Sequence, residues 1–295
     1  FSASLRRDGS SKFSKDNRWS TFWSIGGRWN MMKEHFMENF KPWLNQLDLK
    51  ASYGTTGNSS IGDYAYFGLV SGQGVQYNGE NGLILSQSSV KDLTWETVAQ
   101  ANIGFEARVF DRFTLGFEYY HKKTSDMLLS IPYSYTTGFS SGAGNIGAMV
   151  NKGIDINVDV DIINKPDMYW GVKANVNYNK NEITELFNGL DEYIISNSGL
   201  KLQVGKPFGE FYLVERSHID SRDGKQVWYD ADGNLTKTYD ATNNSVFTGK
   251  QRFAPWTGGF GTTFQWKGLS VSADFTWALG KYAMNNDRYF YENAA

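Results

Sequence analysis

The sequence predicts an all-β chain folded as a transmembrane antiparallel β-barrel, and three observations carry that expectation. Polar and apolar residues alternate strictly over long runs, as they do in a strand with two unlike faces. Most runs are about 9–13 residues long; ten residues rising ~3.3 Å each, tilted by ~40°, span roughly 25 Å, the height of an outer-membrane apolar band. Short turns then alternate with long loops along the chain, the asymmetry of a bacterial barrel with periplasmic turns and extracellular loops.

Taken in order, the chain opens inside one patterned segment, followed by weaker alternation near 18–29, 47–55 and 95–109. The clearest early case, 113–119, sets Phe113, Leu115, Phe117 and Tyr119 against Thr114, Gly116 and Glu118. In 154–162 the residues Ile154, Ile156, Val158, Val160 and Ile162 oppose Asp155, Asn157, Asp159 and Asp161. In 172–179 Val172, Ala174, Val176 and Tyr178 oppose Lys173, Asn175, Asn177 and Asn179. A weaker run at 256–266 precedes 269–279, where Leu269, Val271, Ala273, Phe275, Trp277 and Leu279 oppose Ser270, Ser272, Asp274, Thr276 and Ala278. Helical spacing would mix these charges with the aliphatics, so the count is about nine strands and no long helix. The apolar side is expected to face lipid. The side bearing Asp155, Asn157, Asp159, Asp161, Lys173, Asn175, Asn177 and Asp274 is expected to face a wet lumen.

Asp111-Arg112, Asn164–Met168 and Lys267-Gly268 read as turns, and 56–94, 124–152 and 181–255 as long Gly/Ser/Asn/Tyr-rich loops. One junction departs from this scheme. Residues 31–46 read as a small amphipathic helix at the periplasmic rim, with Trp43 as an interface anchor. Trp29, Trp95, Tyr119, Tyr120, Trp170, Trp266 and Trp277, near strand ends, are expected to form the interfacial aromatic girdles. A large soluble β-sandwich would also bury the apolar sides, but it leaves strand length and loop asymmetry as coincidences.

Composition agrees. The 295 residues carry 16% aromatics and 40% hydrophobics, a net charge of -2 and no cysteine. Mean hydropathy is -0.47, and no apolar run approaches the roughly 18 residues of a membrane helix. Near-neutral charge excludes the footprint of a nucleic-acid binder, and the lack of cysteine excludes disulfides and thiol chemistry.

Candidate chemistry is sparse. His35, His121 and His218 lie in separate contexts with no ligand spacing. Glu182, Glu185, Asp191 and Glu192 read as a solvated acidic loop rather than a catalytic carboxylate pair, which needs a rigid cleft. Asp230-Ala231-Asp232-Gly233-Asn234 resembles a calcium loop, with Asp230, Asp232 and Asn234 as possible ligands of a structural calcium. It lacks the full ligand series and the bidentate Glu, so a Gly-containing turn is the favoured reading. Tyr133, Tyr135 and Phe139, in one long loop, are candidates for stacking on cargo or for packing that loop over the barrel.

Eight phrases in order resemble the SusC/RagA-like TonB-dependent transporters of Gram-negative outer membranes. They begin at Arg7-Asp8-Gly9-Ser10-Ser11-Lys12-Phe13 with Asn17-Arg18-Trp19, then Leu49-Lys50-Ala51-Ser52-Tyr53-Gly54 and Thr56-Gly57-Asn58. Leu93-Thr94-Trp95-Glu96-Thr97 and Tyr119-Tyr120-His121-Lys122-Lys123-Thr124-Ser125-Asp126 follow, then Asn145-Ile146-Gly147-Ala148-Met149-Val150-Asn151-Lys152-Gly153, the most recognisable. Val204-Gly205-Lys206-Pro207-Phe208-Gly209-Glu210-Phe211-Tyr212 and Pro255-Trp256-Thr257-Gly258-Gly259 close the series. The resemblance implies a barrel of about 22 strands, an N-terminal plug, a TonB-contacting segment and a SusD-like surface lipoprotein as lid. Residues 1–295 are then part of one barrel domain from its late-middle portion, with plug and closing strands absent, and the termini at Phe1 and Ala295 read as those of an excerpt. The implied function is TonB-energised import of a bulky nutrient across the outer membrane, a glycan in most relatives and a peptide in some, with no bond made or broken. A passive porin or adhesin and a soluble carbohydrate-binding module are the alternatives.

Overall fold

A computed structural model of the chain describes residues 1–72, 76–139, 141–195 and 198–285. Nine long strands carry the architecture: β1 (Ser2–Gly9), β2 (Trp19–Asn30), β3 (Leu44–Asn58), β4 (Glu96–Val109), β5 (Phe113–Ser125), β6 (Ala148–Lys165), β7 (Met168–Glu185), β8 (Trp256–Trp266) and β9 (Leu269–Leu279). All the strongly alternating segments lie inside these strands, and the weak ones coincide with β2, β3, β4 and β8. Among the described residues no helix is long and apolar enough to cross a membrane.

The chain divides into two compact units, Phe1–Val160 with Thr184–Leu190, and Asp161–Ile183 with Asp191–Ala295. In the first, each strand from β1 to β6 pairs antiparallel with the next in chain order. In the second, β7 pairs with β8 and β8 with β9 in the same manner. The register aligns like with like. Trp29 lies opposite Leu49, Leu49 opposite Phe105, Phe105 opposite Phe117 and Phe117 opposite Ile156, an unbroken apolar row across five strands. Trp29, Leu49 and, at 61%, Ile103 stand exposed on this side, Phe105, Phe117 and Ile156 are half-exposed, and in the second unit Phe275 is 54% exposed. Such exposure is costly in water and natural against lipid.

The turns follow from backbone chemistry. Phe110 and Asp111 both sit at positive φ and Arg112 N–H donates to the Val109 carbonyl, as a tight hairpin between right-twisted strands requires. Asn45 Oδ1 accepts the Asp111 N–H at 2.7 Å and offsets part of the strain.

Three expectations change. Residues 31–46 do not form an amphipathic α-helix. Two 3₁₀ segments, Met31–Lys33 and His35–Phe40, are separated by extended Glu34, and β3 already begins at Leu44. Met37 alone of these helical residues is buried, so no apolar stripe exists to support a longer helix. Second, the strands run further than their alternation: β3 to Asn58, β5 to Ser125 and β7 to Glu185. The loops above them contain small sheets of their own, including the pair Leu128–Pro132 with Ser141–Asn145. Third, Trp95 is not a girdle residue but is buried to 7% exposure. The register also places Tyr120 opposite Asn102 and Gly153, on the polar side of β5. Trp29, Tyr119, Trp170 and Trp266 remain exposed on strands, as a girdle requires.

Candidate transport wall and its loop cover

The polar face of β2, β3 and β4 carries a charge network built by register. Arg28 lies opposite Lys50, Asn30 opposite Asp48, and Asp48 opposite Glu106. Arg28 Nη2 donates to Asp48 Oδ2 at 2.5 Å, and Gln46 Nε2 donates to Asp48 Oδ2 at 2.6 Å and to Glu106 Oε1 at 3.0 Å. Lys50 Nζ donates to Glu106 Oε2. Asp48 is fully buried, and a buried carboxylate needs such donors in place. A recess of about 490 Å³ adjoins this network, with Arg28, Lys50, Asn102 and Glu118 in its wall.

The second unit repeats the device across three strands. Lys173 lies opposite Gly261 and Gly261 opposite Asp274. Lys173 Nζ reaches Asp274 Oδ1 at 2.9 Å. A Cβ on Gly261 would sit 2.3 Å from Asp274 Oδ1 and 2.8 Å from Lys173 Cε, so the glycine opens the gap over which the pair closes. Tyr169 donates its hydroxyl to Asp161 Oδ1 at 2.8 Å. Asp155, Asn157 and Asp159 face Glu118, Gly116 and Thr114 in register, and Asn175 and Asn177 face Gly259 and Thr257, all on the polar sides of their strands. Arg28, Gln46, Asp48, Lys50 and Glu106 escaped sequence reasoning because β2 to β4 alternate weakly there; opposite charges at equivalent positions of adjacent strands were the available signal.

In the first unit, the loop residues Phe13, Leu93 and Trp95 share one apolar core with Phe22 of β2. Trp95 packs on Phe13 at 5.4 Å and Phe22 at 5.7 Å, and its indole N–H donates to the Arg18 carbonyl at 3.1 Å. Asn145 clasps two loops. Its Nδ2 donates to the Thr94 and Asp126 carbonyls at 2.7 and 2.9 Å, while its Oδ1 accepts the Thr94 N–H at 2.6 Å. Gly147 follows at φ +80°, where a Cβ would meet the Glu185 carbonyl at 2.7 Å.

The candidate stacking residues are occupied differently from one another. Tyr133 is half-buried with its ring against Gly142, and Phe139 is half-buried. Tyr135 opens the short 3₁₀ segment Tyr135–Thr137, and its side chain lies outside the described residues. Exposed loop aromatics not singled out in the sequence include Tyr64 and Phe67, 6.1 Å apart.

In the second unit, Asp220, Asp230 and Asp240 each head a turn. Asp230 Oδ1 accepts the backbone N–H groups of Asp232 at 3.0 Å and Asn234 at 2.7 Å, and Asn234 Nδ2 reaches Oδ2 at 3.3 Å. These donors, Asn234 first, hold the Asp230 carboxyl below its usual range. The Asp230 and Asn234 side chains are thus engaged in a self-capped turn, to which Asp232 contributes its backbone N–H. Among the described residues no group of three or more His, Cys, Asp or Glu side chains converges as metal ligands. Asp220 accepts from Arg222 and Lys237 and is held well below the carboxylate range, the Arg222 guanidinium contributing most. Of the acidic residues expected in a loop, Glu182 and Glu185 lie on β7 instead; Glu182 pairs with Lys180 and Glu192 with Lys201.

A family model described as TonB dependent receptor-like, beta-barrel, matches residues 1–295. The chain belongs to this family. It is 34% identical over 245 residues to TonB-dependent receptor P39 of Formosa agariphila, covering 83% of the chain and 23% of that relative. It is 30% identical over 312 residues to TonB-dependent receptor SusC of Bacteroides thetaiotaomicron, covering 98% of the chain and 30% of SusC. Its fold matches a structure of the RagAB peptide importer in the closed-closed state, with a TM-score of 0.89 at 40% identity, covering 99% of the chain and 33% of that chain. The chain therefore spans about a quarter to a third of the length of these relatives. Its fold is that of part of a transmembrane β-barrel of the SusC/RagA type.

Proposed function

We propose that residues 1–295 form part of the wall of one barrel domain in a TonB-energised importer of the Gram-negative outer membrane, with its polar face lining the transport lumen. A SusD-like surface lipoprotein would close over the extracellular loops, and the TonB complex would act through parts of the protein outside this chain. The observation that carries the reading is family membership over residues 1–295, joined to a polar face whose opposite charges are already paired. Paired charges present a wet, nearly neutral wall that neither traps nor repels a large polar cargo.

Peptide is the cargo we favour. Likeness at 40% identity to the RagAB peptide importer supports it, and alternating charges on the wall can match the charged groups of an oligopeptide in passing. A glycan cargo has one observation in its favour, the exposed pair Tyr64 and Phe67, whose rings could stack on sugars. Titration calorimetry on the full-length protein with its lipoprotein, against mixed oligopeptides and against oligosaccharides, decides between them. Heat released with peptides alone supports the favoured reading; binding of oligosaccharides alone replaces it with the glycan one.

A further inference from the structure

The connection between β2 and β3 is the odd one at its rim. Three residues join β4 to β5 in the same unit, yet residues 31–43 intervene here. The extra length holds apolar side chains out rather than in. Phe36 is 58% exposed and Phe40 43%, and Trp29, Trp43 and Phe110 beside them are also exposed. The rings interlock edge to face or tilted: Trp29 with Phe36 at 6.5 Å, Phe40 with Trp43 at 6.0 Å and Trp43 with Phe110 at 6.4 Å. Trp29 Nε1 donates to Glu34 Oε1 at 2.9 Å, fixing the indole at the edge of the segment. Lys33 and Lys41 are exposed on the same segment.

We infer that Met31–Trp43 is a membrane-interface lip, seated among the phospholipid headgroups of the periplasmic leaflet rather than in periplasmic water. The first argument is continuity. Trp29 begins the apolar row that runs through Leu49, Phe105 and Phe117, and Phe36 extends that row past the strand end. The second is chemistry. Aromatic rings with a polar tip or edge favour the headgroup zone, and a contiguous aromatic patch of this kind is unfavourable in water. The third is charge. The segment carries no net charge, Glu34 being held by the Trp29 indole and Glu38 lying beside His35, and Lys33 and Lys41 can meet lipid phosphates while the rings lie below them. The inference rests on the membrane-barrel assignment of β2 to β5.

The test uses single-cysteine variants of the full-length protein, Phe36→Cys, Phe40→Cys, Ile103→Cys and Asp232→Cys, spin-labelled in phosphatidylethanolamine/phosphatidylglycerol vesicles. Power saturation compares access of oxygen with access of a water-soluble nickel chelate. Ile103 reports the barrel wall and Asp232 an aqueous loop. At positions 36 and 40 the oxygen-to-nickel ratio is expected to exceed that at 232 several-fold and to stay below that at 103. A ratio equal to that at 232 would place the lip in water, and exclusion of both reagents would place it under protein. Either result overturns the lip while a lipid-exposed Ile103 leaves the barrel standing; an aqueous Ile103 would instead sink the barrel assignment.

Discussion

At the scale of single residues, the loop cover of the first unit hangs on few polar atoms. Asn145 uses both ends of its amide to hold the Leu93–Trp95 stretch against the turn at Asp126. Aspartate could keep the accepting end and lose the donating end; alanine loses both. Replacing Asn145 by alanine leaves the Thr94 N–H and two carbonyls without that partner, at a cost of about 1–3 kcal/mol for each group that stays buried. The expected outcome of Asn145→Ala is faster amide exchange at residues 93–95 and 126–127, with exchange in β4 and β5 unchanged. Unaltered exchange at Thr94 would show that the clasp is not what orders the loop. Gly57 plays the complementary steric role, because a Cβ there would lie 1.9 Å from the Phe22 ring that supports Trp95.

At the scale of elements, the strand at 216–219, its partner at 226–229 and the short strand at 235–236 form a three-stranded module held by charge. Lys237 Nζ lies 2.7 Å from both Asp220 Oδ2 and Asp223 Oδ2. Both carboxyls are held below their ordinary value of 3.8, Asp220 mainly by Arg222 and Asp223 mainly by Lys237. A depressed carboxyl binds protons less readily when folded than when unfolded. Its stabilisation is therefore present above the unfolded value and disappears as pH falls through the folded one. Protection of residues 216–237 from proteolysis is expected to be flat from neutrality to about pH 5 and to fall in stronger acid; loss of protection already near neutrality would contradict this. Little of the module could be read in advance, because its strands are too short for alternation to register and its Asp-Gly turns resemble a calcium loop. The long strands were legible for the opposite reason. In β6 and β9 polar and apolar side chains alternate, so the pattern is written into residue type along their length. Residues 31–46 misled because apolar spacing across two 3₁₀ segments imitates that of an amphipathic helix. The charge network of Arg28, Asp48, Lys50 and Glu106 stayed hidden because it exists only once register sets three strands side by side.

At the scale of the whole molecule, a barrel wall differs from a soluble domain in where its apolar residues go. Here a compact apolar core joins the loop residues Phe13, Leu93 and Trp95 to Phe22 of β2, while Ile103 of β4 and Leu269, Val271 and Leu279 of β9 stand exposed. Such strands are stable only where lipid covers one face and every backbone edge has a partner. Among the described residues β1 has β2 as its one ladder partner and β9 has β8. The outer N–H and C=O groups of both strands have no ladder partner among the described residues, and each unpaired group in hydrocarbon costs several kcal/mol. Residues 1–295 expressed alone and refolded with lipid are thus expected to give no uniform unitary conductance in planar bilayers. Aggregation through the open edges of β1 and β9 is the competing outcome the physics favours. Discrete channels of one size from this polypeptide alone would mean that the two edges find each other, or those of a second copy, and that the wall needs no further strands to close.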